Sequence, residues 1–348
     1  MNECIFCQNQ FDPQTATREH VLLNALGGKL TTCEIICSAC NNKFGGEIDA
    51  NLAEGVEQLR NMFSLKSGNN RPAPQIILKG DDDIKRTILP VLAPKRRQLP
   101  NKFHYHINEN GKICVEISGH VDALPSLKDK LAKEISKNES IPIEDVCQAL
   151  KNKEVTARNE VENITSPVEI HVGGENGIRS LIKSCVILFA MHNDQLKCIA
   201  HSPLFDNIRN FVYSGDEIGE LWLVDHSLPP NELEIRTKFG PLFNLILVYN
   251  DPRHGIMAYT RTYNSIAFRF RLGKICIENF YTLLISNPID RTHTRELTII
   301  EETIDWLIRT NPEPQNSNNS SIKHMDKMFQ NATRLTGANI NFTPNPST

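Results

Sequence analysis

The sequence predicts an α+β protein. A small N-terminal domain of two strands and a helix, stapled by cysteines, is followed by a larger mixed α+β region containing an antiparallel meander. Three observations predict this. Two Cys-x-x-Cys knuckles, Cys4/Cys7 and Cys37/Cys40, bracket a strand–turn–strand pattern and lead into helical spacing. Three strand-like runs, 242–249, 255–262 and 265–271, follow one another with only the turn residues NDPRHG and TYN between them. Between and after these regions, apolar residues recur every three to four positions over 176–192 and 295–308. At 348 residues the chain is long for one core, and two or three domains are expected.

Residues 1–64 read as one unit. Residues 19–26 read as a strand, Gly27-Gly28 as a hairpin turn and 33–36 as the returning strand. Beyond Phe44, the residues Ile48, Leu52, Val56, Leu59 and Met62 share one helical face. SLKSGNNRPAPQ marks a linker at 65–75, because Ser, Gly, Asn and Pro favour loops. Residues 76–310 form the second region, beginning with short strands at IILKG, KFHYHI and KICVEISG. Helices are expected over 124–138 and 143–151, and the charged stretch 122–160 reads as a solvated helical insertion. A strand at VEIHV, a shorter helix over 204–212 and a strand at 221–224 precede the meander. Residues 311–348, rich in Asn, Ser and Pro, have the composition of a flexible tail.

Bulk properties exclude several classes. Hydrophobic residues make up 40% and charged residues 23%, an ordinary globular balance. The net charge of -3 excludes a uniformly basic, histone-like protein but leaves room for a local basic patch. No apolar run reaches the roughly 18 to 20 residues of a membrane span. The N-terminus lacks the basic and apolar segments of a secretory signal. A cytoplasmic protein is expected.

Of ten cysteines, five lie in the first 40 residues. Clustered thiols in a reducing compartment point to metal rather than to disulfides. Two residues between thiolates let both sulfurs reach one tetrahedral ion, so Cys4, Cys7, Cys37 and Cys40 are assigned to a structural zinc. The gap between the pairs, residues 8–36, exceeds the usual ribbon spacing of about 15 to 20 residues, which leaves room for an inserted hairpin. Cys33, Cys37 and Cys40 also spell C-x3-C-x2-C, the spacing of iron–sulfur enzymes that cleave S-adenosylmethionine. That chemistry requires a repeated strand–helix barrel that the sequence lacks. Cys33 and the five later cysteines are therefore read as core residues.

EHVLLNALGG followed by ICSACNNKFGGEID resembles the HNH endonuclease superfamily, in its branch with two zinc knuckles. The resemblance covers residues 3 to about 60. It implies a ββα-metal fold in which Glu19 is the acidic metal ligand, His20 the general base and Asn41 the second metal ligand. Asn42 offers the same amide one residue later. Glu19 stands where the family often has Asp, and Thr32 stands where its middle Asn orients the histidine. The implied function is a metal-dependent endonuclease with Mg²⁺ or Mn²⁺ at the catalytic site. Fused to a large second region, it resembles bacterial restriction and anti-phage effectors regulated through the C-terminal part.

The chemistry suits these residue types. Phosphodiester hydrolysis needs a base for water and positive charge near the phosphorane. A neutral histidine serves near pH 7, and carboxylate and amide oxygens suit hard divalent ions. Adjacent strand residues point to opposite faces, so Glu19 and His20 can share one phosphate only if the strand is irregular. Arg18 and Lys43 are the nearest candidates for phosphate contacts. DNA is the expected partner with RNA left open, as are an activating ligand or partner at the C-terminal region and a homo-oligomer. Lys95, Arg96 and Arg97 could track a backbone and His104, Tyr105 and His106 could stack on bases, although a solvated loop and an ordinary strand explain both. Asp81, Asp82 and Asp83 lack calcium-loop spacing, and His171, His192, His201 and His226 show no paired ligand spacing. The competing function is a non-catalytic zinc module that binds nucleic acid or protein.

Overall fold

The chain was analysed as a computed structural model that describes residues 1–79, 85–88, 102–110, 112–118, 124–151, 174–216, 222–225, 227–310, 330–331 and 333–334. Strands β1 (Asn2–Glu3) and β2 (Gln10–Phe11) pair antiparallel across the first knuckle. β3 (Glu19–His20) pairs with β4 (Thr31–Thr32), setting Glu19 opposite Thr32 and His20 opposite Thr31. Both strands are shorter than the sequence suggested, and the returning strand lies at 31–32 rather than 33–36. A 3-10 turn at Asn24–Leu26 ends the first, closing on Gly27 at φ +87°. The second ends where the Thr32 hydroxyl accepts from the Glu34 amide, which turns the chain so that the Ile35 carbonyl takes the amide of Ile5.

The expected helix is three short ones, α1 (Ser38–Gly46), α2 (Ile48–Gly55) and α3 (Glu57–Met62). Their breaks fall at Gly45-Gly46 and at Gly55, where helix propensity is lowest. The apolar face survives the breaks, with Ile48, Leu52, Val56 and Leu59 all buried. β5 (Ile76–Lys79) and β6 (Lys85–Ile88) form a small antiparallel pair.

The chain divides into two compact units, residues 1–93 with 166–348, and residues 94–165. In the smaller unit, β7 (Lys102–Ile107) and β8 (Ile113–Ser118) form a hairpin with α4 (Leu124–Glu139) and α5 (Ile143–Lys151). Leu131, Ala132, Ile135 and Val146 form its buried centre, with Phe103, Tyr105, Ile113 and Ile117 against them. Within the stretch read as a solvated insertion, α4 and α5 thus carry an apolar stripe that the high charge concealed in the sequence.

The larger unit continues with α6 (Gly174–Ala190), α7 (Asp194–His201), α8 (Asp206–Ser214), β9 (Trp222–Val224) and α9 (Glu232–Phe239). The meander follows as β10 (Asn244–Asp251), β11 (Gly255–Thr262), β12 (Ile266–Gly273), β13 (Tyr281–Asn287) and β14 (Thr292–Thr294). The last helix is α10 (Ile300–Arg309). The six-stranded sheet has the order β14-β13-β10-β11-β12-β9, and all its pairs are antiparallel.

Both faces of this sheet are covered, which explains the unbroken apolar run of β10. Leu245, Leu247 and Tyr249 face a core built with Ile235 and Phe239 of α9 and Ile300 and Leu307 of α10. Ile246 and Val248 face the opposite core. That second core also takes in α6, α7, α8 and the whole N-terminal segment, from Cys4 through Leu65. Residues 1–64, read from the sequence as a domain of their own, share this core, and α2 lies along α6.

No described helix is long and apolar enough to cross a membrane. The stretches 81–83, 95–97 and 168–172, together with His171, His226 and nearly all of 311–348, lie outside the described residues.

Candidate active site

The knuckles bring four sulfurs together. The Sγ atoms of Cys4, Cys7, Cys37 and Cys40 all lie within 4.8 Å of one another. Cys7 and Cys37 are 3.7 Å apart, close to the ~3.8 Å edge of a tetrahedron whose Zn–S bonds are about 2.3 Å. A disulfide would need ~2.05 Å, and all four are free thiols. Gln8 takes a left-handed φ of 59° to close the first knuckle, and Cys37 caps α1, which puts Cys40 one turn in. A hydrogen bond from Cys40 lowers the Cys4 thiol to about 5, against the opposing effect of burial. Burial raises Cys7. Four crowded sulfurs cannot all ionise without a cation among them, so the cluster fits zinc. Cys33 takes no part and is half-exposed, while Cys198 and Cys276 are exposed; of the cysteines read as core, Cys185 is fully buried.

The same segment also contributes to a buried charge cluster. Glu19 is 4% exposed, Asp49 7% and Lys183 1%. The Lys183 ammonium donates to Glu19 Oε1 at 2.5 Å and to Asp49 Oδ2 at 2.6 Å. The Ser180 hydroxyl, one turn earlier on α6, donates to Asp49 Oδ1 at 2.5 Å. The Phe44 ring lies 5.9 Å from Lys183 Nζ, and Phe6 meets Phe44 edge-on. Burial alone would drive the proton off Lys183, but Asp49 and Glu19 reverse that and raise its pKa, so the ammonium stays charged. Burial, helped by Asp49, raises Glu19 against the pull of Lys183.

His20, the next residue on β3, is half-buried and lies near the side chain of Asn69. Burial, as the largest influence, lowers its pKa, with Lys183 acting the same way. The imidazole is therefore neutral near pH 7. Asn69 comes from the stretch read as a linker, and glycines bring it close. A Cβ on Gly28 would sit 1.8 Å from the Leu22 carbonyl oxygen, and one on Gly68 would sit 1.7 Å from that of Gly28. The Gly68 amide donates to the Asn24 carbonyl and the Asn69 amide to the Asn24 side chain, which fastens the two loops. Asn41 is also near β3. Its amide nitrogen donates to the Thr17 hydroxyl at 2.9 Å and to the Arg18 carbonyl at 3.2 Å.

Comparison with known families decides what this segment resembles. Residues 4–56 match the HNH endonuclease family. No curated protein and no solved structure matches the chain.

Within the HNH segment, other expected site residues are engaged elsewhere. Lys43 donates to the Tyr213 carbonyl at 2.9 Å, with its ammonium 3.8 Å from the Tyr213 ring. Arg18 and Asn42 are exposed. The Thr32 hydroxyl accepts from the Glu34 amide. HNH nucleases use divalent metals, but Glu19 and Asn41 as arranged do not fit a catalytic ion. The Glu19 carboxylate is turned into the core onto Lys183, while Asn41 binds the backbone before β3. Among the described residues, the four cysteines are the one convergent group of three or more His, Cys, Asp or Glu ligands.

Sequence reasoning missed Asp49, Asn69, Ser180 and Lys183. Asp49 was in view, one residue past an apolar helical position. A lysine inside the otherwise apolar face of 176–192 was the other available signal.

Proposed function

We propose that this chain is an endonuclease that hydrolyses phosphodiester bonds of DNA, with His20 as its general base. The observation that carries this reading is a half-buried His20 on β3, inside the segment 4–56 that matches the HNH endonuclease family. A ring nitrogen of the neutral imidazole takes a proton from water. The water oxygen then bonds to phosphorus, and the bond from phosphorus to the leaving oxygen breaks. That oxygen keeps the electron pair and takes a proton from solvent. The zinc cluster holds the two strands and α1 in place without touching the reaction.

Glu19 and Asn41 are the residues that would hold Mg²⁺ or Mn²⁺ in an HNH centre, but here Lys183 and the backbone before β3 take them, so no step is routed through such an ion. Arg18, exposed beside β3, is the basic side chain placed to meet a phosphate, while Lys43 is already bound. The biological setting we favour is a cytoplasmic bacterial restriction or anti-phage effector whose C-terminal region governs the nuclease. The contact of Lys183 with Glu19 is the physical link that supports such control.

The test is supercoiled plasmid incubated with purified full-length protein in Mg²⁺, in Mn²⁺ and in chelator, with single-stranded DNA and RNA as parallel substrates. Nicked circles formed with an ion and absent with chelator are expected. Intact plasmid under every condition would refute the reading.

One observation favours a second reading, a zinc-stapled module without catalysis: the Glu19 carboxylate is satisfied inside the protein. That reading expects Cys37→Ser to unfold the segment while His20→Ala changes nothing measurable.

A further inference from the structure

The centre does not stop at residue 56. Lys183 lies 164 positions from Glu19 in sequence, on a helix whose residues from Gly177 to Ala190 are all buried. Lysine is rarely placed in such a helix, because an isolated buried ammonium sheds its proton rather than keep its charge. Here it meets two carboxylates from separate elements, Glu19 of β3 and Asp49 of α2. Ser180 and Lys183, both on α6, hold the two oxygens of Asp49.

Glu19 immediately precedes His20 on a strand of two residues. Side chains alternate along a strand, so when Glu19 is fixed inward the roll of the strand is fixed, and with it the direction of the imidazole. We infer that Lys183 and Asp49 are positioning residues of the nuclease centre, with α6 clamping Glu19 so that His20 faces its substrate. The inference rests on the nuclease reading for its consequence in catalysis, but the clamp on His20 can be observed without activity. Asp49 is the intermediate link, held by Ser180 on one oxygen and Lys183 on the other. Lys183 also acts on His20 through its charge, so only a variant that keeps the charge discriminates: a tie that served packing alone would leave the imidazole environment unchanged when loosened in that way.

The experiment uses full-length protein carrying Lys183→Met, which removes the charge, or Lys183→Arg, which keeps it but cannot place one nitrogen between both carboxylates in the same way. Zinc content, thermal melting, the histidine ring signals in the proton–carbon NMR spectrum and plasmid-nicking kinetics are measured together. His20→Ala assigns the His20 signal, and the exposed His254 and His293 serve as internal references. The expected result is a displaced His20 signal with both references unmoved and zinc retained. A drop in kcat of about 100-fold is expected with KM nearly unchanged, the scale of effect that misplacement of a reacting group produces. The arginine variant, which keeps the charge near His20, decides by these readings, and the methionine variant shows the effect of removing it. A folded, zinc-loaded variant with the native His20 signal overturns the inference, whatever its nicking rate. A displaced signal in a protein whose native form never nicks DNA leaves the clamp standing and removes the nuclease reading instead.

Discussion

At the residue scale, the character of His20 follows from its burial. Its folded pKa lies below the usual imidazole value, so the neutral form is favoured in the native state. As pH falls, the unfolded chain protonates first, so native stability begins to fall near the ordinary imidazole value and the loss is complete once pH drops below the lowered one. The same sign governs catalysis. The nicking rate should hold its plateau at the ordinary histidine pKa of about 6.5 and fall only in more acid solution. A pH–rate profile checks this, and an acid limb centred above that value would count against His20 as the base. The four knuckle cysteines, which do converge, could be read because the spacing within each pair is local. Lys183 could not be paired with Glu19 in advance, because nothing within either segment specifies which buried carboxylate an internal ammonium will meet.

At the element scale, the loops around β3 matter more than the strands. β3 and β4 contribute two residues each, and the loops are fastened by close approaches that only glycine permits. Gly68→Ala should force the 67–71 loop off Gly28, withdraw Asn69 from His20 and lower the nicking rate while the zinc is retained. Metal analysis alongside the nicking assay tests this; native activity in the variant would mean that Asn69 is dispensable. The apolar face from Ile48 to Leu59 was legible because burial depends on spacing, whereas its division into three helices depends on chain breaks that spacing does not record. Likewise, the return strand was misplaced because the Thr32–Glu34 turn is a side-chain hydrogen bond rather than a hydrophobic pattern.

At the scale of the whole molecule, the HNH segment and the later helices form one core. Phe44, Ile48 and Leu52 belong to the same buried cluster as Ile182, Cys185 and Phe189. A fragment of residues 1–75 should therefore melt without a cooperative transition even when zinc is supplied, because its apolar face would be left in water. Calorimetry of the fragment checks this, and a sharp transition would show that the segment folds alone. The α+β class, the meander at 242–271 and the long helix before it were all legible from periodicity. The merging of two sequence regions into one core was not, since a linker composition describes local backbone preference and not what packs across it. The central claim remains that His20 does the chemistry, and its most direct measurement is the nicking rate of His20→Ala against the native chain, both zinc-loaded and equally folded. A loss of about 100- to 10,000-fold is predicted, the usual contribution of a general base; equal rates in the two proteins would contradict the account.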